Sequence, residues 1–310
     1  MLFLCMLLAV IAWAQAVDPK EQAAQLRTLA SQSPSMMLER AELEVRPPSA
    51  DWAMEMVSSV TSDSKGVIYL LQRGAKANPV IAVDRNGAVL RSWGKGLYKI
   101  PHSIRVDPDG NVWTVDAGSS MVYQFTPEGK KLLEIAVGEM PGEREFRGTA
   151  DIAFGPDGRI LIADGYGNAR ILEYNRAGKR VREWGTRGNG PGQFNLPHGI
   201  AIDEKGTVFV ADRENGRIQR FTMDGKYLGE WGSFGKTFSL TVRGDALYIG
   251  TQPRNEPNGS PGWLMKIDKS SGKVVGVVES TGHHSIEALP NGELLTGTRP
   301  DKVLWFRLPR

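Results

Sequence analysis

Four histidines occur in the chain, at positions 102, 198, 283 and 284, and three of them share one phase. Eight residues after His102, His198 and His284 comes a glycine that ends a short polar turn: Gly110, Gly206 and Gly292. A neutral imidazole is a good donor to a divalent metal. Three imidazoles presented in an equivalent way from one scaffold would make a metal site that keeps open positions. A single Pro-His or His-Ser pair would merely open a strand, but three of four histidines in one phase point to coordination. His283 is out of phase and is read as support for the others or as an ordinary strand-start residue.

Counting seven residues forward from each turn reaches Arg73, Ala117, Gly165, Arg213, Pro253 and Arg299, with Tyr166 one step beyond Gly165. Arginine grips a carboxylate through a two-pronged fork. A phenol whose pKa is lowered by a nearby metal can serve as a base. Arg73, Arg213 and Tyr166 are therefore candidates to act beside the histidines on a carboxylate-bearing substrate, while Arg299 fits a solvated loop equally well.

These positions recur because the chain does. Each repeat reads as a strand, a turn ending in glycine, a second strand, a polar corner, a third strand and a Gly-rich connector. The turn glycines are Gly66, Gly110, Gly158, Gly206 and Gly292, and a variant turn at Gly244-Asp245-Ala246 fills the long gap. Six copies spaced by 40 to 48 residues match the period of propeller blades with about four strands each. The fold class is therefore all-β, a six-bladed β-propeller, with residues 52–61 supplying the innermost strand of the first blade. In such a ring alternate blades stand about 120° apart, so the histidines of blades two, four and six would converge on the axis. The other three blades carry Ser58, Ala150 and Phe238 at that position.

Composition agrees. The chain has 310 residues, 24% charged and 41% hydrophobic, with a net charge of +3, which gives no reason to expect nucleic acid or a membrane surface as partner. Residues 1–16 resemble a secretory signal whose usual positive start is missing, and imply export with no membrane span in the mature chain. The only cysteine, Cys5, falls there, which excludes thiol catalysis and disulfides from the remainder. Residues 17–50 read as a short helical lead-in capped by Asp18 and a Pro-rich linker, and residues 51–310 as the propeller, expected to be monomeric.

The connector GNGPGQFNLPHGIAID, together with ADGYGNARI and ADRENGRIQ, resembles the NHL-repeat propellers. Within them it is most similar to peptidyl-α-hydroxyglycine α-amidating lyase, from about Val57 to the C-terminus. The resemblance implies zinc held by His102, His198 and His284, a catalytic tyrosine at Tyr166, and active-site arginines at Arg213 and Arg73. It implies cleavage of the N–Cα bond of a peptidyl-α-hydroxyglycine to an amide and glyoxylate. It also implies a structural calcium ion. Here Ser285 replaces the family's acidic calcium ligand, leaving main-chain carbonyls near Val60 and Ile104 as a weaker site, and Gly167 replaces a cysteine. Two other readings stay open: a non-enzymatic NHL propeller that binds a peptide or protein, and a metal-dependent hydrolase or lactonase on the same fold.

Overall fold

At each repeat the turn glycine adopts a left-handed conformation, with φ of 82° at Gly66, 86° at Gly110, 83° at Gly158, 79° at Gly206 and 87° at Gly292. Its N–H donates to the carbonyl three residues back, on Asp63, Asp107, Gly155, Asp203 and Leu289 respectively. A side chain would strain each turn, so glycine is what lets the strands fold back so tightly. The result is a computed structural model of a six-bladed β-propeller, describing residues 18–138, 145–297 and 302–309. The signal-like segment, Cys5 and Arg299 lie outside the described residues.

Each of the first five blades is a four-stranded antiparallel sheet with strands in chain order. Their innermost strands are Val57–Ser62, Pro101–Val106, Asp151–Phe154, Pro197–Ile202 and Lys236–Arg243, and Glu287–Ala288 takes that place in blade six. Each innermost strand touches its neighbour around the ring, and the last touches the first. Second strands such as Ile68–Gln72 and Val208–Asp212 are buried on both faces, as sandwiched sheets require. Six hydrophobic clusters follow, and each straddles two adjoining blades.

Ring closure corrects the expected domain boundary at residue 51. Glu39–Leu43, assigned to the linker from its neighbouring prolines, pairs with Val303–Arg307 from Glu39↔Arg307 to Leu43↔Val303 and forms the outer strand of blade six. Residues 52–61 do include the innermost strand of blade one. The helix Pro19–Gln32 forms as expected, with the Asp18 carboxylate accepting from the Lys20 N–H at 2.7 Å. Its Leu26 and Ala30 bury into the cluster between blades four and five.

Candidate metal centre and active site

The three in-phase histidines meet at the axis. Ring centroids lie 4.9 Å apart for His102 and His198, 4.8 Å for His102 and His284, and 5.1 Å for His198 and His284. One nitrogen from each falls within 4.8 Å of the others. No other grouping of three His, Cys, Asp or Glu ligands occurs among the described residues.

A backbone device turns these side chains inward. Pro101 pairs with Asp116 and Ser103 with Val115, so His102 is the extra residue of a β-bulge. Pro197↔Asp212 and Gly199↔Ala211 do the same for His198. Ser58 and Phe238, in the same phase of blades one and five, are bulged as well. A bulge re-aims the side chain and leaves the extra residue out of the ladder, with its carbonyl available.

Main-chain carbonyls of the same phase, bulged at Ser58 and Phe238, hold the imidazoles. His102 Nδ1 lies 2.7 Å from the Ala150 oxygen, His198 Nδ1 2.6 Å from that of Phe238, and His284 Nδ1 2.8 Å from that of Ser58. Each histidine therefore meets the same-phase residue of the following blade. A carbonyl can only accept, so each Nδ1 carries the proton and each Nε2 is left as the bare nitrogen. Burial, the largest cause, pushes His102 and His198 well below the ordinary imidazole range, with neighbouring imidazoles and arginines acting the same way. Burial, followed by Arg73, pushes His284 down to about 3. Three neutral imidazoles with fixed tautomers suit a divalent ion such as zinc.

Tyr166 closes over this centre. Its hydroxyl lies 2.9 Å from His102 Nε2 and 2.8 Å from His198 Nε2. Burial raises the phenol above its ordinary value, and the charges of Arg213 and Arg73 oppose that rise. The protein alone thus leaves Tyr166 protonated, and the lowering expected from sequence needs the metal charge as well. Arg213 begins a short 3₁₀ turn, Arg213–Asn215, that ends on Gly216 at φ 68°. It is buried, paired with Glu214 at 2.7 Å, and stacked 4.9 Å from the Phe238 ring centre. Arg73 donates through Nε to the carbonyl of Pro101 at 2.9 Å and faces the Phe146 ring at 5.2 Å. Both arginines and Tyr166 line one cavity of about 470 Å³ with His284, Phe146 and Phe238.

Calcium fits poorly. Val60 and Ile104 are buried on innermost strands, but the carboxylates of the lower channel are engaged. Asp151 accepts from Arg105 at 2.6 Å, from Ser103 at 2.5 Å and from the Ile200 N–H at 3.2 Å. Glu287 accepts from Ser62 at 2.8 Å, and Ser285 offers no charge. A guanidinium already supplies the positive charge there.

Sequence counting missed three groups. Asp116, Asp164 and Asp212, six residues past their turn glycines, are buried and tie down the corners: Asp212 accepts from the Asn195 N–H at 2.7 Å and from Arg217 at 2.8 Å. Their shared phase is the signal that could have found them. Phe146 and Phe238 form the cavity walls, and His283 also lines the cavity.

The NHL repeat family model matches residues 194–221. A protein of Rattus norvegicus named peptidylglycine α-amidating monooxygenase is 33% identical over 78% of this chain, which spans only 27% of that protein. A protein of Caenorhabditis elegans named probable peptidyl-α-hydroxyglycine α-amidating lyase is 29% identical over 76% of this chain and 72% of its own length. Among solved structures, a streptogramin B lyase superimposes with a TM-score of 0.56 at 16% identity, covering 88% of this chain and 98% of that one, a likeness of fold alone. The chain is a six-bladed β-propeller that matches the NHL repeat over residues 194–221 and is similar to the peptidyl-α-hydroxyglycine α-amidating lyases.

Proposed function

We propose that the chain is a metal-dependent carbon–nitrogen lyase that converts a peptidyl- or N-acyl-α-hydroxyglycine into an amide and glyoxylate. The observation that carries this reading is the Tyr166 hydroxyl, within 2.9 Å of two bare Nε2 atoms and under the charge of two arginines. His102, His198 and His284 would hold the ion. When bound, zinc or another divalent metal would polarise the substrate hydroxyl and lower the Tyr166 pKa.

The protein's own groups account for the rest. Arg213 and Arg73 bind donor to acceptor and suit the substrate carboxylate, which becomes that of glyoxylate. Tyr166, as phenolate, takes the hydroxyl proton. The freed electron pair closes the C=O bond of glyoxylate as the N–Cα bond breaks, and a proton returns to the departing amide nitrogen. The aromatic walls keep water from the reacting carbon and accommodate an acyl or peptidyl group in the remaining space.

The test is elemental analysis of purified protein together with a glyoxylate assay on an N-acyl-α-hydroxyglycine. About one metal per chain with glyoxylate release supports the reading. Metal without glyoxylate would remove the lyase and leave the centre, and absence of metal would remove both.

A further inference from the structure

Beneath the three histidines lies a chamber of about 10 Å³, with room for about one water. Ser59, Ser103, Ser239, Ser285, Arg105 and Asp151 line it together with the imidazoles. A wider cavity of about 660 Å³ has Arg105, Arg243 and Glu287 among its walls. Arg105 lines both and stands between them.

Arg105 belongs to the innermost strand of blade two and grips Asp151 of blade three. Its Nε lies 3.1 Å from Oδ1 and its Nη2 2.6 Å from Oδ2. Nη2 also donates to the carbonyl of Leu240 at 3.3 Å, on blade five, which faces blade two across the ring. The side chain therefore bridges the channel. Asp151 accepts in turn from the Ile200 N–H of blade four at 3.2 Å. Ser59 Oγ accepts from the Ile104 N–H at 3.1 Å, Glu287 from Ser62 at 2.8 Å, and the Ala288 carbonyl from Arg243 Nη2 at 2.8 Å. Those three contacts join blade one to two, six to one and five to six. All six innermost strands are tied into one polar belt, and Arg105 is its crossbar.

The charges of this belt leave no place for a second ion. Burial works against the Arg105 cation, and Asp151 and then Glu287 outweigh it. Arg243 Nη2 lies 3.8 Å from Glu287 Oε1, so two guanidiniums face two carboxylates. Burial raises the Glu287 pKa, while Ser62, Arg105 and Arg243 oppose the rise. With Glu287 ionised the belt is neutral, and with Glu287 protonated it is positive. Neither state attracts a divalent cation. Calcium also needs about six to eight oxygen ligands, far more than a chamber with room for one water supplies. We propose that Arg105 is a built-in cation that closes the ring where a structural calcium ion would otherwise sit. The chain then folds without calcium, and its axis holds one metal, at the histidines. Neither consequence depends on what the histidine centre catalyses.

Melting curves and elemental analysis of zinc-loaded protein test this, in calcium-depleted buffer and in millimolar calcium. Wild type should melt at the same temperature in both and retain no calcium after gel filtration. Arg105→Ala leaves Asp151 buried without its cation and should lower Tm by about 10 °C in calcium-depleted buffer. The emptied space and freed carboxylate should then admit calcium, so added calcium should restore part of that loss. Arg105→Lys keeps the charge but not the fork and should fall between wild type and Arg105→Ala. A wild-type Tm that climbs with calcium, or about one calcium retained per chain, overturns the proposal without needing any folded variant. So does an Arg105→Ala protein with unchanged Tm, or one that loses stability yet ignores calcium. Zinc content in the same samples keeps the two centres apart: loss of zinc with no response to calcium would remove the histidine site and leave the role of Arg105 standing.

Discussion

Tyr166 and the three imidazoles form a unit in which each group needs the others. Tyr166→Phe removes the proposed proton acceptor but no imidazole nitrogen. It should lower kcat by about 10²–10⁴-fold with metal content unchanged, which glyoxylate release and elemental analysis would check. Acid should act on the metal-free protein through the buried histidines. Burial holds His283 at about 4 and His284 at about 3, against about 6.5 in an unfolded chain. Between those values the unfolded chain binds more protons than the folded one. The stability these groups contribute is therefore complete above about pH 6.5 and is lost as pH falls toward 3. Melting curves of chelator-treated protein should show Tm dropping steadily across that window, and a flat profile would contradict the burial. The convergence of His102, His198 and His284 was legible at this scale because a fixed count from a turn glycine survives any drift between repeats. The carbonyl partners were not. Ser58, Ala150 and Phe238 entered the count only as places without histidine, and main-chain oxygens have no letter in a sequence.

At the scale of elements, the helix and the polar corners matter more than their surface positions suggest. Gln22 of the helix Pro19–Gln32 donates to the carbonyl of Asn215 at 3.2 Å and accepts from Arg254 at 2.7 Å, so the helix braces the turn that carries Arg213. Leu26→Ala, at a fully buried position, should cost about 2–5 kcal/mol in denaturant unfolding and also reduce kcat/KM by loosening that corner. An unchanged midpoint would show the helix to be a passive tail. The lead-in helix could be read from EQAAQLRTLA and its Asp18 cap. The strand Glu39–Leu43 could not. It is short and mostly exposed, and its alternation is weak, so only its partner Val303–Arg307 makes it a strand. The bulges were hidden as well, because a one-residue excess appears only when two strands are laid side by side.

Taken whole, the molecule assembles its candidate metal centre across blade boundaries. Each of the three in-phase histidines reaches over to the following blade, joining blades two to three, four to five and six to one. An ion held only by the assembled ring stabilises the folded state by mass action, by about 2.7 kcal/mol at a free concentration one hundred times its dissociation constant. Tm should therefore climb with added zinc and fall on chelation, and a Tm indifferent to zinc would show that the ring does not depend on the ion. The closure of blade six has a consequence in time. A ribosome makes Glu39–Leu43 well before Val303–Arg307, and neither has its blade without the other. His284 also needs Ser58, 226 residues earlier in the sequence. The growing polypeptide can stack blades as they emerge, but the ring and its three-nitrogen cage come into being only once Val303–Arg307 has been made. A metal would therefore load only after blade six has formed, and a chain cut short before Val303 is left without the cage.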